Sequence, residues 1–294
     1  MCYGEDARSE RIIAEAGPPV QAMAAAVAQN TLGKQVTPRY SAGVGRVGPS
    51  SHAIMDQKDI ITISQFPIES TTQQQLARRL LDAVETKQQV MLFFANTNLV
   101  VKGRFLLAHT ADPALLLVND GVGLDIAAKL LHGRKFRENL NGTDFTPFLL
   151  RQSPSPLKVF MIGGKPEVLA RAAEYVRTVL GQPVVGVCDG YDGMRQGGLV
   201  ERVNASGAQV VLVAMGNPIQ ERWIVEHRAA LQANILMGVG ALFDFWAGDK
   251  PRAPRLFQRL RLEWLYRLSL EPRRLLRRYT WDILVFLRLC FKYR

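Results

Sequence analysis

The pattern of apolar and polar positions changes near residue 57. Residues 1–56 are small, polar and glycine-rich in stretches such as SAGVGRVGPSSHA, with neither the period of a strand nor that of a helix. We read them as a poorly ordered tail, with Met23 and Met55 as alternative starts. Beyond the tail, STTQQQLARRLLDAVE opens on cap residues and then spaces Leu76, Leu80 and Val84 four apart, on one helix face. QVMLFFAN and ALLLVND read as buried strands, the second followed by a helix, GLDIAAKLLHG, ending near Gly133. After the link QSPSPL come strand KVFMIGG, helix KPEVLARAAEYVRTVLG, strand PVVGVCDG and helix GGLVERVNASG. Strand AQVVLVAMG, helix NPIQERWIVEHRAALQ and strand NILMGVG close the series. Apolar strands alternating with amphipathic helices predict an α/β domain over residues 57–245. Its sheet is mostly parallel and covered by helices on both faces.

Composition adds a boundary. The chain has 294 residues and is 48% hydrophobic, enough for one large domain or two small ones. Its net charge is +11, but from Trp246 to Arg294 there are 13 Lys and Arg against 4 Asp and Glu, a net of +9, leaving +2 for the rest. The basic character is therefore local, and residues 246–294 form a separate appendage suited to anionic lipid, nucleic acid or an anionic ligand. Cys2, Cys188 and Cys290 are too scattered for a disulfide framework or a metal site, which fits a reducing compartment. No segment has the run of about 20 apolar residues of a spanning helix. The nearest, WDILVFLRLCF, is short and holds Asp282 and Arg288. Glu5, Asp6 and Glu10 occupy the place of a signal peptide's basic start. A cytoplasmic protein lying peripherally on a membrane fits these facts.

In a parallel α/β sheet ligands bind where strands run into helices, and four loops of that kind stand out. In AMGNPIQER, Asn217 suits a helix cap, Pro218 the first helical position and Gln220 a capping box. Such a start favours a phosphate, or is simply a well-capped helix. In MIGGKP, Gly163 and Gly164 let backbone approach a ligand, or make a tight turn. Neither a Walker loop nor GxGxxG is present, and GVGLDIA lacks the third glycine of a dinucleotide fingerprint. In LLLVNDGVGL, Asp120 is either a helix cap or a general base at the mouth of the sheet. Asn96 in FFANTN falls at the end of another strand, where it can orient a sugar hydroxyl. Asp189 and Asp192 have no supporting ligands and read as turn or sugar-contact residues, so no metal is expected. The four histidines form no motif, and a hydrolase triad has no support.

The appendage mixes arginine with aromatics. In RAPRLFQRLRLEWLYRLSL, Leu256, Leu260, Trp264 and Leu268 are four apart, flanked by Phe257 and Leu265 and bordered by Arg255, Arg259 and Arg267. A second segment, RRLLRRYTWDILVFLRLCFKY, repeats the mixture. These features describe a helix lying in a membrane interface. The plainer alternative is a C-terminal helix packed on the core with its arginines snorkelling. Nucleic-acid binding is disfavoured, because the aromatics fall on a helix stripe instead of forming stacking platforms.

Taken together, LLLVNDGVGLDIAAKLL, NGTDF, MGNPIQERWIVEHR and GVGALFDFWAGDKPRAPRLFQRLRLEWLYRLSLEPRRLLRRY resemble, in order, the motifs of the WecG/TagA/CpsF glycosyltransferases. The resemblance covers about residues 60–280. It implies a Rossmann-like fold whose C-terminal appendage touches the membrane and helps complete the active site. It also implies an inverting transfer of sugar from a UDP-sugar donor to a polyprenyl-diphosphate-linked sugar acceptor at the inner membrane face, without a cofactor. Asp120 matches the proposed catalytic base, Asn96 the asparagine near the sugar and Gln220 the glutamine of the P-x-Q-E element. Arg252 and Arg255 are the candidates for holding the departing diphosphate, with the Asn217 helix start assisting. Family members can form oligomers.

The chain departs from the family at two places. Phe94 stands where many members have threonine, and Asn139 replaces an arginine of the E-R-V-x-G-x-D segment. Those members use N-acetylmannosamine-type donors, so a different sugar is implied here. The chain most resembles the xanthan-type exopolysaccharide branch, which transfers glucose from UDP-glucose to glucosyl-diphosphoundecaprenol, giving a β-1,4 cellobiosyl lipid. The alternatives are an N-acetylmannosaminyl-type transferase and, from another class, a nucleic-acid-binding module.

Overall fold

The computed structural model describes residues 60–294 except 196, 255–256, 258–261, 274–275, 277–279 and 294. The N-terminal tail, Arg255 and much of the first arginine-rich stripe thus lie outside the described residues.

Two short strands open the domain. β1 (Ile60–Ile63) and β2 (Phe66–Glu69) pair antiparallel. They meet at Ser64 and Gln65, both with positive φ, which matches the twist that tight hairpins need. α1 (Gln73–Glu85) follows, with Thr72 and Gln75 forming a full capping box and Leu76 and Leu80 buried beneath it. Then come β3 (Val90–Ala95), α2 (Thr97–Lys102), a 3₁₀ segment (Arg104–His109), β4 (Leu115–Asn119), α3 (Val122–His132) and α4 (Gly142–Gln152).

The second half continues with β5 (Val159–Gly163), α5 (Pro166–Thr178), β6 (Val184–Cys188), α6 (Asp192–Arg195), α7 (Leu199–Ala205) and β7 (Val210–Ala214). After these come α8 (Ile219–His227), β8 (Ile235–Gly238), α9 (Leu242–Trp246), α10 (Glu263–Leu270) and α11 (Trp281–Lys292).

The eight strands form one sheet in the order β1-β2-β4-β3-β8-β7-β5-β6, parallel except for the β1–β2 hairpin. Every residue of β3 and β5 is buried, as central parallel strands require. Alternate side chains supply two cores. Phe93, Leu117, Ile162 and Val213 pack with α2, α3, α7, α8 and α11 on one face. Leu92, Val118, Met161 and Leu212 pack with α1, α4, α5 and α9 on the other. The α/β reading with a mostly parallel, doubly covered sheet is what the chain adopts.

The last helix, α11, docks against α2 and α3. It buries Phe286 and Cys290, and burial pushes the Cys290 thiol up to about 11. Asp282, also buried, pairs with Lys102 of α2 at 3.5 Å. The outer face of α11 leaves Trp281, Leu284 and Phe291 exposed. The reading of a C-terminal helix packed on the core therefore holds for its inner face. No helix among the described residues is long and apolar enough to cross a membrane.

Candidate active site

The ends of β3 and β4 lie side by side, with Ala95 opposite Asn119 in the parallel register. That register brings Asn96 and Asp120, 24 positions apart in sequence, into contact, with the Asn96 amide donating toward the Asp120 carboxylate at 3.4 Å. Asn96 is held by its other end, its side-chain oxygen accepting the Leu99 N–H at 3.1 Å as the N-cap of α2. The backbone N–H of Asp120 donates to Ala95 O at 2.6 Å, so the loop after β4 is stitched to the end of β3. Asp120 is half-buried and does not cap α3, whose N-cap is Gly121, without a side-chain cap bond. Gly121 has φ +103°, a value that favours glycine and turns the chain sharply after the carboxylate.

Asn139 closes this corner. Its side-chain oxygen accepts the Gly121 N–H at 2.5 Å, and the next residue, Leu140, donates its N–H to Asn119 O at 2.9 Å. Asn139 thus ties the NGTDF segment to the Asp120 loop. Phe94 is buried and faces the second core. A side chain at Gly142 would come within 3.0 Å of its ring, and Phe145 packs on it with ring centroids 6.1 Å apart. Phe94 therefore packs under the seat of α4.

NGTDF reaches the appendage as well. Asn141 caps α4, accepting the Asp144 N–H at 2.9 Å, and its amide donates to the Asp144 carboxylate at 2.8 Å. The other oxygen of that carboxylate takes Arg252 at 2.5 Å. Arg252 is in this way carried to the start of α4, beside the Asn139 corner. Neighbouring residues hold the same segment down: Asp249 to Arg171, and Lys250 to Asp244 at 3.7 Å and to Glu271 at 3.4 Å.

The loops after β7 and β8 are joined by Gln220. Its side-chain oxygen accepts the N–H groups of Gly216 at 3.1 Å and Gly240 at 2.9 Å, and its amide donates to Glu221 at 2.7 Å. Gln220 is buried and builds the loops instead of capping the helix. Asn217 does not cap either. The peptide before Pro218 is cis, Pro218 is the N-cap, and α8 starts at Ile219 without a side-chain cap. The Asn217 amide N–H donates to the Glu221 carboxylate at 2.6 Å. Glu221 is wholly buried, and burial raises its pKa above the ordinary 4.5 against the hydrogen bonds from Gln220 and Asn217.

Gly163 and Gly164 end β5 at the same edge of the sheet. Gly163 has φ +112°, and a side chain there would strike Ala214 O at 2.4 Å. Gly164 O accepts the Gly190 N–H at 2.9 Å. Both glycines are thus needed by the turn itself. Asp189 is a turn residue, accepting N–H groups from Tyr191 at 2.9 Å and Gly193 at 3.0 Å. These bonds, Gly193's first, hold its pKa below the ordinary carboxylate value. Among the described residues no three His, Cys, Asp or Glu side chains gather as a metal site would need.

Sequence reasoning passed over Asn119. It is wholly buried one position before Asp120, and neither end of its side-chain amide has a hydrogen-bond partner. A polar residue ending an otherwise apolar strand, LLLVN, was the available signal. Asp144, within NGTDF, carries no local signal of its bridge to Arg252, which lies 108 positions away.

The model of the Glycosyl transferase WecG/TagA/CpsF family matches residues 61–294, the whole of the sheet but its first residue, all the helices above and the appendage.

Proposed function

We propose, from the premise that the chain belongs to the WecG/TagA/CpsF family of glycosyltransferases, that it transfers glucose from UDP-glucose to a polyprenyl-diphosphate-linked glucose with inversion. The observation that carries this reading is the Asp120 carboxylate beside the Asn96 amide, at the carboxyl ends of two adjacent parallel strands. The family makes cell-surface polymers from a nucleotide-sugar donor and a lipid-linked acceptor. The finer choice of glucose rests on Asn139 standing in place of the arginine found with N-acetylated donors, and on Phe94 in place of threonine.

A single displacement needs one base. Asp120 takes the proton of the acceptor hydroxyl as its oxygen bonds to the anomeric carbon. The bond from that carbon to the diphosphate breaks on the opposite face, and UDP leaves with the electron pair. Asn96, fixed by its bond to Leu99 N–H, orients the carboxylate and a sugar hydroxyl. Arg252, and with it Arg255, balances the charge developing on the diphosphate. The product is a β-1,4-linked disaccharide on the lipid. The appendage keeps the enzyme at the inner face of the membrane, peripherally, where the acceptor's diphosphate lies.

The test is a donor screen. Purified protein and a short-chain polyprenyl-diphosphate glucose are mixed with UDP-glucose, UDP-N-acetylmannosamine or UDP-N-acetylglucosamine, and UDP release is followed. Release only with UDP-glucose supports the reading. Release with an N-acetylated sugar alone replaces the donor, and release without acceptor refutes the transfer.

A further inference from the structure

The helix that begins at the catalytic corner has an unusual solvent face. On α3 the exposed positions are Ile126, Lys129, Leu130 and, in the last turn, His132, and the first three, spaced three and four apart, lie on one side of the helix. Ile126 is 52% exposed and Leu130 61%. A solvated helix carries polar groups at such positions. The acid of its first turn, Asp125, points inward and is buried. After the C-cap Gly133, the loop continues with Arg134, Lys135 and Arg137, all exposed. Alongside, α11 packs on α3 with Trp281, Leu284 and Phe291 exposed and Arg288 and Lys292 among them. Apolar side chains rimmed by cations, with no exposed acid on α3 or in the loop that follows it, extend from the core domain onto the appendage.

We propose that the outer face of α3 and the basic loop after it dock on an anionic lipid bilayer, so that the catalytic domain itself, and not the appendage alone, rests on the membrane. The inference rests on the reading of a lipid-linked acceptor. Two relationships favour a bilayer over other occupants. First, α3 starts two residues past Asp120, and at about 1.5 Å per residue Ile126 lies only about 6 Å along the helix from its first residue. A diphosphate anchored among headgroups can then reach the site without leaving the interface. Second, a two-fold dimer through this face would set two cationic loops against each other, whereas anionic headgroups complement them.

The full chain and an Ile126→Gln, Leu130→Gln variant are sedimented with phosphatidylcholine vesicles, with and without phosphatidylglycerol. Binding of the parent chain should need phosphatidylglycerol, and the variant should partition about tenfold less, the loss for about 1.4 kcal/mol of apolar insertion. Melting temperature checks the fold. Should the variant be unstable, Ile126→Trp gives a second reading, because its added emission should be quenched by brominated lipids. Unchanged partitioning, or an unquenched tryptophan, overturns the proposal. So does a parent chain that sediments in solution as a dimer and a variant that does so as a monomer, because the face then belongs to a second copy. Transfer to the short-chain acceptor without vesicles should be equal in parent and variant. Absence of transfer from both overturns the activity reading and leaves the docking result to be judged on partitioning.

Discussion

Asp144 holds Arg252 at 2.5 Å with one carboxylate oxygen while Asn141 holds the other at 2.8 Å. The pair joins the root of the appendage to the first turn of α4, within a few residues of the Asn139 bond to Gly121. Its side chains are 41% and 48% exposed, so the pair contributes at most about 1 kcal/mol to stability. Asp144→Ala should therefore leave the melting temperature nearly unchanged and lower turnover about tenfold by releasing Arg252. The exchanged pair, Asp144→Arg with Arg252→Asp, separates two roles. Restored turnover would make the pair a mere tether, and continued loss would mean that Arg252 itself is needed at the diphosphate.

Asp120→Asn keeps the shape of the corner and removes the base. Turnover should fall about 10²–10⁴-fold, with the melting temperature within a few degrees of the parent. Binding of UDP-sugar, followed by calorimetry, should survive. Full turnover in this variant would remove Asp120 from the mechanism.

Gln220 should be a stability position before it is a catalytic one. Gln220→Ala strands the N–H groups of Gly216 and Gly240 and leaves a void against Gly238, whose backbone lies under the Gln220 amide. A loss of about 2–4 kcal/mol in urea unfolding is expected. A variant of parental stability but without donor binding would show that Gln220 contacts substrate directly.

Much of this architecture was legible because the central strands are uninterrupted apolar runs between amphipathic helices. QVMLFFAN and AQVVLVAMG can be little else in a chain of this pattern. The hairpin of Ile60–Glu69 was not legible. Its turn uses Ser64 and Gln65 at positive φ, without the Asn-Gly or Asp-Gly signal, and Pro67 interrupts the second strand. Helix α4 was hidden by Pro147 in its interior. At the site, the sequence pointed to Asp120 and Asn96 singly, but their contact depends on strand order. β4 lies beside β3 and not elsewhere in the sheet, and no local pattern fixes that. The cap expected at Asn217 is absent because the helix starts one residue later than the pattern suggests, with Pro218 as its N-cap. The Asn217 amide N–H instead reaches Glu221, whose burial is a tertiary fact.

Glu221 offers a test by pH. Its native pKa is raised above 4.5 chiefly because burial disfavours the charged form. The unfolded chain ionises this group first, so the native state holds the proton more tightly. Stability from this group is then fully present below about pH 4.5 and is lost as pH rises through the raised native value. Glu221→Gln cannot ionise, and its side-chain oxygen can still accept from Asn217 and Gln220. The variant should gain on the parent steadily from about pH 5 upward, and the gain should level off once the native carboxyl has titrated. Differences in melting temperature, taken between parent and variant at each pH, remove the shared contribution of other groups. A difference that stays flat with pH would mean that Glu221 is charged in the native protein at all these values. The Asn217 and Gln220 amides would then outweigh its burial.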